Sequence, residues 1–247
     1  MPDPTASPET ASPEPANTAG GLRPRLALAL DVDDAVAAMR LARELRPWFG
    51  VAKVGLELFS AAGPDVVAQL QDADYRVFLD LKMADIPTTV GKAARVLGAL
   101  GVSFLTVHAF GGAAMLRSAV DGLREGAAGA GLEPAGVLAV TILTSDAGAP
   151  PHILGRRVAV AVEARCAGFV CAAADVAEAK QLAPNLLAVV PGIRPVGVPS
   201  HDQSRWATPA EALDAGADLL VIGRAVTGAP DRPAAAAALV DAIDGRH

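Results

Sequence analysis

Three charged residues fall within six positions of an apolar run in the segment FLDLKMADIPTT, residues 78–89. Asp80 and Lys82 are two residues apart, so on a strand their side chains point to the same side of the sheet. Asp85 follows just beyond. A buried carboxylate is strongly unfavourable without a cation nearby, and Lys82 and Lys53, from the preceding apolar run, are the candidates to compensate Asp80. Because buried ion pairs add little net stability, this cluster is better explained by chemistry.

The elements that must position these residues are eight short apolar runs that alternate with helical patterns. The runs are 26–32, 51–59, 77–83, 104–110, 136–143, 168–173, 187–193 and 217–224. The helical stretches include 33–45, 87–100, 113–125, 153–167 and 233–243. Asp33 is the predicted N-cap of the first helix. Continuous apolar strands separated by helices predict a parallel sheet, and eight such units favour a single (β/α)8 TIM barrel. The alternative is an open doubly wound sheet, although no GxGxxG motif follows the first strand.

Length and composition predict one catalytic domain behind a short tail. The chain has 247 residues, of which 52% are hydrophobic, enough for one sizeable core. Residues 1–20 are rich in Pro, Ser, Thr and Glu and are predicted to be disordered, which leaves 21–247 for the barrel. A net charge of −6 argues against general affinity for nucleic acid or acidic membranes. Without a membrane-spanning run or a secretory signal, the protein is expected to be cytoplasmic.

Two arginines at the ends of the last predicted strands indicate an anion site. Arg194 follows the seventh strand and Arg224 the eighth. A glycine such as Gly223 lets backbone N–H groups approach phosphate oxygens, and arginine adds a fork of donors, so we expect a phosphorylated small molecule here. Residues 196–213 between them are polar and long enough for a lid, with Gln203 as a donor. Ordinary surface arginines and an ordinary surface loop are the alternatives.

Other residues capable of chemistry are interpreted as structural. No His, Asp or Glu grouping has metal-ligand spacing, so no metal is predicted. The acidic run at 31–34 is typical of a strand end followed by a helix cap. His108 stands alone at a strand end and is interpreted as a structural residue. Cys166 and Cys171 match no zinc or redox spacing and are expected to be buried.

Eight segments together resemble the orotidine 5′-phosphate decarboxylase family, in order and over residues 25–232. They are LALD (28–31), KVGLELF (53–59), FLDLKMADIPTTV (78–90), VHAFGG (107–112), LTS (143–145), PGIR (191–194), DQ (202–203) and VIGR (221–224). The DxKxxDIP stretch is highly specific. The resemblance implies a homodimeric barrel that converts orotidine 5′-monophosphate to UMP and CO2, the last step of de novo pyrimidine synthesis, without a cofactor or metal.

The resemblance also implies roles for individual residues. The family's charged catalytic network matches Lys53, Asp80, Lys82 and Asp85. Lys82 would protonate C6 of the pyrimidine, and Asp85 would reach the active site of the partner subunit. The implied substrate-binding residues are Asp31, Lys53, Ile86, Thr89, Thr144, Arg194, Gln203, Gly223 and Arg224. The chain departs from the family at the valines before PGIR, where many members have a threonine, and this puts details of pyrimidine contact in question.

Two other functions are compatible with parts of the pattern. An enzyme resembling 3-keto-gulonate-6-phosphate decarboxylase or hexulose-phosphate synthase also has a DxKxxD strand but works through a metal-bound enediolate. Such enzymes carry an acidic residue where this chain has Lys53. A non-catalytic barrel that binds a phosphorylated ligand is the second alternative, and intact Lys82 and Asp85 disfavour it.

Overall fold

Eight parallel strands close into a barrel in the computed structural model, which describes residues 19–146, 148–150, 152–194 and 205–245. Each strand pairs with the next along the chain, and the eighth pairs with the first. The strands are β1 (Leu26–Leu30), β2 (Val51–Gly55), β3 (Arg76–Met83), β4 (Phe104–His108), β5 (Gly136–Val140), β6 (Gly168–Val170), β7 (Leu187–Val190) and β8 (Leu219–Ile222). The predicted TIM barrel is confirmed, and the open doubly wound alternative is wrong.

Helices follow the strands and cover the outside of the barrel. They are α1 (Ala19–Leu22), α2 (Ala35–Leu45), α3 (Leu56–Ala62), α4 (Asp65–Asp72), α5 (Pro87–Gly98), α6 (Gly112–Gly129), α7 (His152–Glu163), α8 (Ala173–Leu182), α9 (Pro209–Asp214), α10 (Arg224–Thr227) and α11 (Arg232–Asp244). Two 3-10 helices cover Arg23–Arg25 and Ala109–Gly111. Within the described ranges, no helix has the length and apolar character needed to cross a membrane. Residues 1–18 of the predicted tail lie outside these ranges, so the domain division stays a prediction.

Two local predictions differ from the structure. The N-cap of α2 is Asp34 and not Asp33, because the Asp34 carboxylate accepts hydrogen bonds from the backbone N–H groups of Val36 and Ala37 at 3.0 and 2.9 Å. The strand predicted over 51–59 ends at Gly55, and the apolar residues that follow form α3. A short apolar run does not distinguish a strand from a helix by periodicity.

The barrel interior is apolar below its polar mouth. Phe78 of β3 points inward, where its ring meets Phe104 edge-on at a centroid distance of 6.2 Å, whereas Leu79 packs outward. The inward apolar cluster consists of Ala27, Ala29, Val51, Phe78, Phe104, Leu138, Val189, Leu219 and Val221. Two residues after Val51, Phe78 and Phe104, the same strands carry Lys53, Asp80 and Thr106. Since side chains alternate along a strand, these polar groups lie one layer above the apolar cluster, towards the carboxyl ends of the strands.

Helices α5 and α6 pack with their backbones in direct contact. A Cβ atom added at Gly126 would lie 1.9 Å from the carbonyl oxygen of Arg95, and one at Gly122 would lie 2.1 Å from that of Gly91. Gly129, at the end of α6, has no other atom within 4 Å of such a position. The glycines at the contact therefore fix how closely α6 approaches α5, the helix that follows the charged segment.

Candidate active site

A cavity of about 310 Å³ lies at the carboxyl ends of the strands. The predicted site residues that line it are Asp31, Lys53, Asp80, Lys82, Thr144, Arg194, Gly223 and Arg224. The structure thus brings residues from the ends of six different strands into one cavity. This end of the barrel is where enzymes with this fold have their active sites. Apolar side chains of the interior, including Phe78 and Val189, complete the lining.

Three predicted site residues in the described part of the chain do not line this cavity. Asp85, Ile86 and Thr89 follow β3 and are all exposed, Ile86 to 65%. The Asp85 carboxylate accepts a hydrogen bond from the backbone N–H of Ile86 at 2.6 Å, and it makes no ion pair with another described residue. Gln203 lies outside the described residues. In a single chain, these three residues are therefore exposed to solvent and lie outside the cavity lining.

Four charges of alternating sign form a chain at the cavity wall. The Nζ atom of Lys53 lies 2.8 Å from Oδ1 of Asp31 and 3.7 Å from Oδ2 of Asp80. The Nζ atom of Lys82 lies 2.7 Å from the same Oδ2 of Asp80. The Lys53 side chain is 10% exposed and that of Asp80 is 14% exposed, whereas the Lys82 side chain is 35% exposed and faces the cavity. Asp31, which the family resemblance implied as a substrate-binding residue, is therefore a second carboxylate in direct contact with Lys53.

The pKa of the Asp80 carboxyl lies below its usual range. Burial alone would raise this pKa, but the charges of Lys82 and Lys53, together with hydrogen bonds from Lys82 and Thr106, outweigh the desolvation. The group is therefore an anion throughout the neutral range. Its Oδ2 atom accepts a hydrogen bond from the Lys82 ammonium group, and both side chains line the same cavity.

The contact between Asp80 and Lys82 lies within an irregularity of β3. The β3–β4 register passes from Leu79 opposite Leu105 to Met83 opposite Val107, so three residues of β3 face one residue of β4. Lys82 has φ +46, in the left-handed region that costs a non-glycine residue about 1 kcal/mol or more. Alternation along the strand correctly predicted that these two side chains lie on the same side of the sheet, but it did not predict the bulge within which they meet.

Two arginines that follow β7 and β8 also line the cavity. In an eight-stranded barrel β7 lies across from β3, and Arg194 is the fourth residue after the end of β7 at Val190. Arg194 is only 3% exposed, and its backbone N–H donates to the carbonyl of Ala207 at 2.9 Å. Arg224 begins α10 directly after Gly223, and all three line the cavity. Two guanidinium groups and a glycine backbone that line the same cavity are typical of an anion site.

Comparison with known proteins identifies the family. The sequence model of the orotidine 5′-phosphate decarboxylase / HUMPS family matches residues 24–239. The chain belongs to this family. An orotidine 5′-phosphate decarboxylase of Anaeromyxobacter dehalogenans (strain 2CP-1 / ATCC BAA-258) is 48% identical over 226 residues, which are 87% of this chain and 96% of that protein. One of Moorella thermoacetica (strain ATCC 39073 / JCM 9320) is 42% identical over 232 residues, 89% of this chain and 92% of that protein.

A solved structure agrees with the decarboxylase family. The crystal structure of orotidine 5′-phosphate decarboxylase from Lactobacillus acidophilus superposes with a TM-score of 0.70 at 36% identity, covering 87% of this chain and 96% of the other. The predictions of this family, and of an enzyme within it, are confirmed. The roles of individual residues are not tested by these comparisons and stay predictions.

Sequence reasoning missed one polar residue beside the charges of this decarboxylase-family site. Thr106 of β4 is fully buried, donates its hydroxyl hydrogen to Oδ1 of Asp80 at 3.0 Å and accepts from the backbone N–H of Lys82 at 2.9 Å. Its position was readable from the sequence, because it alternates with Phe104 and His108 on the inward side of β4.

His108 lies close to the network without lining the cavity. Its ring stacks on that of Phe110 with 4.7 Å between centroids. Burial, together with the charges of Lys82 and Arg157, lowers the pKa of the imidazole below its usual value, although Asp80 acts in the opposite direction. The imidazole is therefore neutral at physiological pH, and its structural role stays a prediction.

The donor set of the site suits an organic cation better than a metal ion. In the described part of the chain, no group of three or more His, Cys, Asp or Glu side chains could hold a metal ion. Between Asp31 and Asp80, the position of a bridging cation is taken by the Lys53 ammonium group. The expectation that this member of the decarboxylase family needs no metal stays a prediction.

Proposed function

We propose that this protein decarboxylates orotidine 5′-monophosphate to UMP and CO2, the last step of de novo pyrimidine synthesis, without a metal or cofactor. The observation that carries the proposal is that the Asp80–Lys82 pair and the Arg194–Arg224 side face one cavity. The substrate has a carboxylate on its pyrimidine and a phosphate at its other end, which matches the two sides of the cavity. The decarboxylase names of the relatives in A. dehalogenans and M. thermoacetica support the same choice.

Substrate binding is assigned by charge and position. The phosphate binds to Arg194 and Arg224 and to the backbone at Gly223, with Gln203 as a further donor. The ribose lies towards Asp31 and Lys53, which share a hydrogen bond of 2.8 Å at the cavity wall. The pyrimidine lies towards Lys82 and Thr144. Phosphate recognition by two arginines is strong because charge-assisted hydrogen bonds are about twice as strong as neutral ones.

A homodimer would bring the exposed loop after β3 of one chain to the cavity of the other. Asp85, Ile86 and Thr89 are exposed and follow the catalytic strand directly, and Ile86 is a large apolar side chain open to solvent. We assign this loop to a homodimer interface in which Asp85 reaches the active site of the partner subunit. Covering Ile86 in the same interface removes its apolar surface from water.

The chemistry requires electrostatic help at one carbon atom. Loss of CO2 from C6 leaves a carbanion in the plane of the ring, which the ring's π system cannot delocalise. The Lys82 ammonium group faces the cavity, and a cation about 4 Å from this charge is worth roughly 4 kcal/mol at an effective dielectric of 20, or about three powers of ten in rate. Lys82 then donates its proton to C6, forming the C–H bond of UMP.

Asp80 holds Lys82 in place and repels the substrate carboxylate. Because its pKa is lowered, Asp80 is an anion when the substrate binds. Two carboxylates placed side by side raise the energy of the bound substrate, and departure of neutral CO2 relieves the repulsion. Binding energy from the distant phosphate offsets this cost, so contacts made far from C6 appear in the rate.

Product analysis tests the proposal. Purified protein is incubated separately with orotidine 5′-monophosphate and with 3-keto-gulonate 6-phosphate plus Mg²⁺, and the nucleotide and CO2 released are measured. The proposal predicts stoichiometric UMP and CO2 from the first substrate and no turnover of the second. Turnover of the sugar phosphate alone would assign the chain to the metal-dependent branch, and binding without turnover of either would favour a ligand-binding barrel.

A further inference from the structure

We propose that Thr106 is a positioning residue for this decarboxylation and that its hydroxyl holds Asp80 and Lys82 in their catalytic arrangement. The inference rests on the proposed function. Thr106 is completely buried and does not line the cavity, so it acts through its neighbours and not on the substrate.

The position of Thr106 opposite the β3 bulge gives it this role. Between the paired positions Leu79 and Met83, three residues of β3 face Thr106 alone, so the regular ladder cannot satisfy all of their backbone groups. The backbone N–H of Lys82 donates instead to the Thr106 hydroxyl at 2.9 Å. A side chain on β4 thus replaces a ladder hydrogen bond at the residue whose backbone is left-handed.

The hydroxyl makes two hydrogen bonds that require opposite roles. It accepts from Lys82 N–H and donates its single hydrogen to Oδ1 of Asp80 at 3.0 Å. The other carboxylate oxygen, Oδ2, receives Lys82 Nζ at 2.7 Å. One buried group therefore connects the backbone of the proton donor to the carboxylate that orients its ammonium group.

Losing this hydroxyl leaves two groups without a partner at the same point. The Lys82 backbone N–H loses its hydrogen-bond acceptor, and Oδ1 of Asp80 loses a hydrogen-bond donor. Both groups would then need new hydrogen-bond partners in a packed interior. The pair can then relax away from C6 without any loss at the phosphate side. We therefore expect an effect on kcat and not on KM, since a small misplacement of a reacting group is costly to the chemical step.

The experiment compares three threonine variants. Thr106→Val removes the hydroxyl at nearly constant shape, and Thr106→Ser keeps it. Thr141→Val is the matched control, because Thr141 is also a buried threonine after an adjacent strand, 2% exposed, but its hydroxyl donates to the carbonyl of Val170 at 2.8 Å and contacts neither Asp80 nor Lys82. Each variant is assayed for kcat and KM, thermal unfolding, and hydrogen exchange of the Lys82 amide.

Thr106→Val is expected to lower kcat by about 10- to 100-fold, the range for a hydrogen bond to a charged group, with KM within about threefold. Its Lys82 amide should exchange at least about tenfold faster than in the wild type, because it has lost its acceptor. Thr106→Ser and Thr141→Val should both keep kcat within about threefold of the wild type, even where Thr141→Val lowers the unfolding temperature.

Two results would overturn the inference: wild-type kcat in Thr106→Val, or an equal loss of kcat in Thr141→Val. Failure of the proposed function is a separate outcome, seen when the wild type itself forms no UMP. In that case hydrogen exchange of the Lys82 amide is the only test of the positioning role. An exchange rate in Thr106→Val equal to that of the wild type would reject the role.

Discussion

Lys82 Nζ lies 2.7 Å from Oδ2 of Asp80, although the backbone between the two residues leaves the regular strand path and Lys82 has φ +46. Residues held in an unfavourable backbone conformation cluster at functional sites, where the surrounding structure compensates the cost. Here the compensation comes from Thr106 and from the ion pair itself. The fold therefore holds Asp80 and Lys82 together at the cavity wall.

Lys82→Ala should lower kcat by at least about a thousandfold, because in the proposed mechanism Lys82 supplies both the charge that stabilises the carbanion and the proton for C6. Steady-state kinetics with orotidine 5′-monophosphate check this expectation. Lys92→Ala is the control, since Lys92 is an exposed lysine of α5 and should keep full activity. Turnover near the wild-type rate in the Lys82 variant would reject the proposed mechanism.

Arg224→Ala should mainly weaken the use of the phosphate group. Losing one arginine contact to a phosphate is expected to lower kcat/KM for orotidine 5′-monophosphate by about 10- to 100-fold. The same variant should show little change with orotidine, which lacks the phosphate, so the ratio between the two substrates isolates the contact. An equal loss with both substrates would show that Arg224 acts elsewhere.

Mixing two inactive variants tests whether the site is shared across a dimer. If Asp85 completes the active site of the partner subunit, a heterodimer of Lys82→Ala and Asp85→Ala chains contains one intact site. Random exchange at equal concentrations then gives about one quarter of the wild-type activity. Native mass spectrometry of chains of different mass confirms that subunits have exchanged, and no recovery of activity after exchange would contradict the shared site.

Gly126→Ala should destabilise the fold by about 1–3 kcal/mol, because the added methyl group would meet the carbonyl of Arg95 across the α5–α6 contact. Gly129→Ala in the same helix has open space and should leave stability unchanged or raise it by up to about 1 kcal/mol. Urea unfolding of both variants measures the difference. Similar stabilities for the two would show that the helices separate easily at this contact.

The barrel and most of its charged site were predictable from local patterns. Eight apolar runs predicted the strand order, and charged residues on these runs predicted Lys53, Asp80 and Lys82 as neighbours. Alternation cannot predict a bulge, because a bulge depends on the register with the neighbouring strand, so the contact between Lys82 and Thr106 was missed. The partner of Lys53 within one chain also depended on distances through space, which placed Asp31 beside it.

The most direct test of the central claim is the ultraviolet absorbance change when purified protein meets orotidine 5′-monophosphate, recorded with and without EDTA. The proposed function predicts conversion to UMP at the same rate in both conditions, because Lys53 and Lys82 supply the positive charge at the site. Conversion that stops in EDTA and returns with an added divalent metal, or no conversion in either condition, would contradict it.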